Sequence, residues 1–330
     1  MRPIRALLAF AILTLTACSP VIRIDVGGSA ARLKEGVVLS DPGAGRAKVA
    51  LIDVRGLISD AERPSLLGPG SNPVDRFLSA LALAERDPSV KAIVVRISSP
   101  GGTVTASDIL HREVRRFRET SGKPVVASLG EVAASGGYYL ALAADRIIAE
   151  PTSITGSIGV IIPTVNISDG LSRIGVVSRS IKSGPNKDLG NPLEAAREGQ
   201  YAVLQGLVDE YYARFKDLVV ARRPGLRAED LDDATDGRVF SGERAVRLGL
   251  ADEVGGIREA FAAAKSLAGV TGATLVKYAD ENREVRSAYS TAAPVPAGTT
   301  AINLVQVNLA DPIGASETSG IYYLWTPAAP

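Results

Sequence analysis

Ser135 stands in the run Ala133-Ala134-Ser135-Gly136-Gly137-Tyr138-Tyr139, where two glycines can turn the chain tightly into a helix and leave the hydroxyl exposed. A serine hydroxyl becomes a useful nucleophile only when a base takes its proton. The 330-residue chain has one histidine and one cysteine, so Cys/His dyads and cluster-type zinc sites lack ligands, and neither a metal nor another cofactor is expected. The histidine, His111, lies between Val104 and Arg118, where Leu110, Val114 and Phe117 recur at helical spacing behind a Thr105-x-x-Asp108 capping box. It reads as a partly exposed helix residue. The main remaining activator is a lysine whose pKa is lowered by burial.

A second glycine-rich connection, Ser99-Pro100-Gly101-Gly102, precedes the serine motif. Alone, Pro-Gly-Gly is a turn and Ser-Gly-Gly a helix start. Together, the first loop could aim backbone N–H groups at an oxyanion while the second delivers the nucleophile. Downstream, Thr155 to Val160 leads into an apolar strand. Ile181 to Asp188 makes a polar loop with two lysines, Lys182 and Lys187, a residue type that by default is a solvated surface charge.

The surrounding elements must hold these loops. Val49 to Val54, Ala92 to Ile97 and Pro124 to Leu129 read as buried strands, and they alternate with helices over Val74 to Arg86, Thr105 to Arg118 and from near Ser135. Such strand–helix units imply right-handed crossovers and a layered α/β domain. Both glycine loops fall where strands end and helices begin, the place where open α/β sheets put their chemistry. A further helix, Gln200 to Arg222, lines up Leu204, Leu207, Val208, Tyr211, Phe215 and Leu218 for packing on the sheet or on another subunit.

At the amino end, Arg2 and Arg5 precede an apolar run, Ala6 to Ala17, that is too short to cross a bilayer and is shaped like a secretory signal. It closes in Leu15-Thr16-Ala17-Cys18, which resembles a bacterial lipobox. A lone thiol in an exported chain has no disulfide partner, in keeping with lipidation at Cys18. Ser19, in place of an aspartate, favours outer-membrane sorting by the same resemblance. The expected layout is residues 1–17 as signal, 18–47 as a lipid-anchored tether with some local structure, 48–286 as the catalytic domain, and 287–330 as an Ala/Pro/Thr-rich linker ending in an apolar tail. Within that tail, Ala301 to Leu309 is β-like, and Ile321 to Trp325 is too apolar to be purely solvated. With 46% hydrophobic residues the chain can bury a core. The formal charge of +1, which falls to −1 once Arg2 and Arg5 leave and the new terminus is acylated, carries no nucleic-acid footprint.

Ser99 to Gly102, Ala133 to Tyr139, Thr155 to Val160, Ile181 to Asp188 and Asp236 to Gly256 together resemble the signal peptide peptidase A family of serine proteases, within the superfamily of caseinolytic proteases and crotonases. The resemblance implies a crotonase/Clp protease-like layered fold. It assigns Ser135 as nucleophile, Lys187 as general base, Ser157 as the hydroxyl orienting that lysine, and the backbone N–H groups of Gly102 and Gly136 as the oxyanion hole. A Ser–Lys dyad is a known variant of triad chemistry. A close Asp188 carboxylate would work against a neutral lysine, so its side chain is expected to point elsewhere. In short family members the serine and lysine of one site come from neighbouring subunits. The resemblance therefore implies a homo-oligomeric ring in the bacterial cell envelope, facing the periplasm, with peptides or unfolded exported polypeptides as substrates. A lipid in place of the usual transmembrane anchor is a departure that bears on whether signal-peptide remnants are cut. Two competing readings are a crotonase-like thioester enzyme, for which an exported protein has no coenzyme A supply, and an inert lipid-tethered scaffold.

Overall fold

A computed structural model describes residues 33–61, 72–195, 197–280, 284–290 and 320–325. The strands β1 (Leu33–Ser40), β2 (Lys48–Arg55), β3 (Val90–Ser99), β5 (Val125–Ala134), β6 (Arg146–Ala149), β9 (Glu253–Val254) and β10 (Thr274–Asp280) form one sheet in the order β1-β10-β2-β3-β5-β6-β9. All neighbours on this path are parallel except β1 and β10. A spur leaves β5 through β7 (Ile154–Gly156), which pairs with β8 (Val239–Ser241). The chain also closes a two-stranded sheet from β4 (Gly101–Thr103) and β11 (Tyr322–Leu324).

Alternation along the strands decides the layering. Ala50, Ile52, Ile93, Val95, Val125 and Ala127 face one side, together with Phe77, Leu81, Leu110, Val114 and Phe117 of helices α1 (Pro73–Arg86) and α2 (Val104–Ser121). Val49, Leu51, Ala92, Val94 and Val126 face the other side, against Ile257, Ala260, Phe261 and Ala264 of a helix over Ile257–Leu267. The sheet is thus buried on both faces, which is why its strands read as continuous apolar runs.

Local chemistry sets the helix ends. Asn72 caps α1, its side chain accepting from the N–H groups of Val74 and Asp75 at 2.9 and 3.2 Å, with Pro73 in the first turn. Thr103, not Thr105, caps α2 by accepting from Ala106, because the loop before it is pinned two residues earlier. His111 is buried at 3% exposure rather than partly exposed, for it faces Tyr139 across the α2 core stripe.

Two stretches outside the central run are built into this sheet or against it. β1 lies within the expected tether and pairs with β10. The first residues of the expected linker cover a buried charge cluster in which Lys277 donates to Asp53 at 2.6 Å and to the carbonyls of Ala288 and Ser290, while Arg96 donates to Asp53 and Ala288. Burial lowers the Lys277 pKa, and Asp53 opposes that shift. The signal run, Cys18 and Ala301 to Leu309 lie outside the described residues. Among the described residues, no helix is long and apolar enough to cross a membrane.

Candidate active site

Ser135 ends β5 and opens the short helix α3 (Gly136–Ala141). Its backbone has φ 53° and ψ −114°, and Ser157 has φ 50°. Among the described residues these are the only non-glycine positions with positive φ, a conformation that costs a residue with a Cβ about 1–3 kcal/mol and persists only where the surroundings enforce it. The enforcement is visible: the Ser135 N–H donates to Gly156 O at 2.8 Å, the Ser157 N–H donates to Arg238 O at 2.8 Å, and the Ser135 carbonyl accepts from Tyr139 at 2.8 Å. The parallel pairing Ala133↔Thr155 and Ala134↔Gly156 places Ser135 and Ser157 one step past paired residues of adjacent strands. The register therefore brings the two serines together. The apolar strand expected after Ser157 is absent from the described residues: β7 ends before Ser157, and only Ile161 beyond it makes a bridge.

The Ser99–Gly102 loop is held as tightly. Ser99 Oγ donates to Gly56 O at 2.6 Å and accepts from the Gly101 N–H. Ile58 donates to Gly101 O and accepts from Thr103, so the loop is paired to it on both sides of Gly102. A Cβ at Gly102 would lie 1.8 Å from Ile58 O, and one at Gly136 would lie 2.3 Å from Ser107 Oγ and 3.1 Å from the Gly102 nitrogen. Only glycine lets these two N–H groups approach each other so closely. The fold thus assembles Ser135, Ser157, Gly102 and Gly136.

Lys187 is not part of that assembly within one chain. Ser135 Oγ is buried without a hydrogen-bond partner, and Lys187 is exposed, its ammonium making no hydrogen bond or ion pair among the described residues. Its neighbour Lys182 is locked to Asp188, which also accepts from Arg197 at 2.7 Å and from Gln200 at 2.8 Å. Lys182 first, with Gln200 and Arg197 adding to it, holds the Asp188 carboxyl down at about 2. The carboxylate is thus taken up by Lys182, Arg197 and Gln200 and not by Lys187, as a neutral lysine would need.

An aromatic group beside Ser135 is absent from the sequence reading of the site. Tyr139 is stacked on Tyr323 at 5.0 Å and packs edge-on against Phe215 at 5.0 Å and His111 at 5.2 Å. Asp108 accepts from the Tyr139 hydroxyl and from Arg214 of α5 (Glu198–Arg222), tying that helix to the site. Burial raises the pKa of Tyr139 and, together with Arg115, lowers His111 to about 4. The signals available were the tyrosine pair after Ser135 and the aromatic tail Tyr322 to Trp325.

The family model described as Peptidase family S49 matches residues 118–271, a span that contains both Ser135 and Lys187. The Enterococcus faecium protein assigned as a signal peptide peptidase SppA is 31% identical over 249 residues, 76% of this chain and 72% of its own length. The chain belongs to this peptidase family. Protease 4 of Salmonella typhi is 37% identical over 71% of the chain, which spans only 37% of that longer relative. The chloroplastic serine protease SPPA of Arabidopsis thaliana is 35% identical over 68% of the chain and 33% of its own. A solved mutant of the 1510-N membrane-bound stomatin-specific protease aligns over 65% of the chain and 83% of its own, at 19% identity and a TM-score of 0.42.

Proposed function

We propose that the chain is a serine endopeptidase whose Ser135 and Lys187 act as a dyad across two copies in a homo-oligomeric ring. The observation that carries the reading is the division of labour just described. One chain completes the nucleophile and the oxyanion glycines, leaves the serine hydroxyl without a base, and presents an unpaired lysine on an exposed arm. Lys182 cannot serve, because Asp188 holds it. The arm around Lys187 exposes Ile167, Ile174, Val176, Val177 and Ile181, an apolar surface suited to a second copy. Docking there would strip water from the Lys187 amine, the condition under which an amine becomes a base. Lys187 would then take the Ser135 proton as Oγ attacks a peptide carbonyl, with Gly102 and Gly136 stabilising the oxyanion and Ser157 orienting the amine.

The test is covalent labelling of Ser135 by a fluorophosphonate together with peptide hydrolysis. Both are expected to be lost in Lys187→Ala and kept in Lys182→Ala; loss in Lys182→Ala with retention in Lys187→Ala overturns the dyad. No labelling with an unchanged fold would favour the inert scaffold. We further propose export and lipidation at Cys18, which hold the enzyme at the envelope with the site facing the periplasm, at the outer membrane, where unfolded exported polypeptides are available. Equal labelling of wild type and Cys18→Ser by a palmitate analogue would count against the anchor.

A further inference from the structure

The arm that carries Lys187 buries a single side chain, and that side chain is polar. Among the described residues of 161–214, Gln200 alone is buried, at 9% exposure. A buried amide costs free energy unless its donors are used, and here they are. From the first turn of α5, Gln200 Nε2 donates to Pro185 O at 2.9 Å and to Asp188 Oδ1 at 2.8 Å. Those two acceptors bracket Lys187, one two residues before it and the other directly after. The turn between them also closes on itself: the Lys187 N–H donates to Gly184 O at 3.2 Å and the Asn191 N–H to Asp188 O at 3.1 Å. Asp188 carries the tie outward, since its carboxylate takes Arg197 through both oxygens, at 2.9 and 2.7 Å, and Lys182 as well. Pro185, Asn186 and Lys187 are themselves exposed, so apolar packing does little to hold the lysine in place.

We infer that Gln200, acting with Asp188, is a positioning residue for the reaction: it fixes the stretch of backbone from which Lys187 projects, so that the amine reaches Ser135 in one orientation. The inference rests on the Ser135–Lys187 reading and adds the residue that sets its geometry. The side-chain type is decisive. A primary amide carries two N–H groups on one nitrogen, enough for both acceptors without adding charge. Glutamate would set a third acceptor against those two, and a hydrocarbon of similar length would leave both unserved. The backbone around Lys187 would then sample several positions. Proton transfer, which needs the amine within hydrogen-bond reach of the serine, would slow even where the substrate binds normally. Lys182 is the replaceable member of the group, because without it the carboxylate keeps Arg197 and Gln200.

The test is hydrolysis of fluorescein-labelled casein, an unfolded polypeptide, by the full chain carrying Gln200→Met, with oligomer size read by sedimentation. kcat is expected to fall at least about tenfold, with KM within about twofold of wild type and assembly unchanged. Asp188→Asn and Gln200→Glu should each lose kcat as well. Their double variant, in which donor and acceptor trade places, should exceed the better single variant at least about threefold. Hydrogen exchange needs no turnover: the amides of 184–191 are expected to exchange at least about tenfold faster in Gln200→Met, and unchanged exchange overturns the inference. Full kcat in Gln200→Met, a loss confined to KM, a loss that tracks dissociation of the oligomer, or a double variant no better than its singles overturns it too. The control is Lys187→Ala. If that variant is inactive while Gln200→Met is not, the inference fails alone; if it keeps wild-type activity, the dyad reading fails and takes the inference with it.

Discussion

The stretch that carries Ser135 and the stretch that carries Lys187 are built on opposite terms. Around Ser135, β3, β5 and α3 bury almost every side chain, and bonds to Gly156 and Arg238 hold the strained backbone of Ser135 and Ser157 while Ile58 holds the Gly101–Gly102 loop. Around Lys187, Ile174, Val177 and Ile181 face solvent, and the packing that exists is polar, centred on Asp188. The amino-terminal half of α5 belongs with the second region: Tyr201 and Val203 are exposed, while Phe215 and Val219 in its other half are buried. Under the proposed dyad, Ser135 is preorganised by its own chain, whereas Lys187 would depend on what the arm meets.

The largest effect that can break this contrast comes from mixing two dead variants. Ser135→Ala and Lys187→Ala should each lose hydrolysis by roughly three orders of magnitude or more. After subunit exchange at equal amounts, interfaces that join an intact serine to an intact lysine make up about a quarter of a random ring, so about a quarter of wild-type activity should return. A mixture that stays inactive, although mass measurement shows mixed oligomers, places the dyad within one chain.

A smaller effect sharpens the role of the arm. Val177→Asp and Ile181→Asp put charge on a surface that is empty in the monomer, so thermal unfolding of the isolated chain should move by no more than about 0.5 kcal/mol. Assembly, read by sedimentation, should weaken, and activity should fall with it. Full activity at monomer size would show that the arm's apolar surface serves another purpose.

The effect that leaves activity at neutral pH least changed lies in the core. His111 titrates near 6.5 when unfolded and at about 4 when folded, chiefly because burial disfavours its cation, with Arg115 adding to it and Asp108 opposing. The unfolded chain therefore binds more protons between those values. The stability contribution is fully present above about pH 6.5 and is lost as pH falls toward 4, by on the order of 3 kcal/mol. His111→Leu should flatten that part of the stability profile, which denaturant titration at several pH values would show; an unchanged slope would mean that other groups carry it.

Much of the central layer was legible because a sheet buried on both faces writes itself as apolar runs of strand length, and because glycine pairs mark connections that no other residue can make. The strands at Val49, Ala92 and Pro124 lie within a few residues of their expected bounds, and so does the helix ending at Arg222. His111 was misjudged because helical periodicity shows which face a residue occupies but not how deeply the next layer covers it. The aromatic pocket stayed hidden for a related reason: Tyr139, Phe215 and Tyr323 are separated by scores of residues and meet only through packing.

By itself, then, the sequence determined the order of strands and helices, the two glycine loops, the serine between them and the apolar character of the last residues. Those are local properties of backbone freedom and side-chain type. The tertiary structure alone decided that Ser157 stands beside Ser135, that Asp188 takes Lys182 and leaves Lys187 unpaired, and that Tyr323 reaches the Gly101–Gly102 loop. Each of these depends on strand register or on contacts across long separations, and such contacts are chosen by the free energy of the whole packed chain.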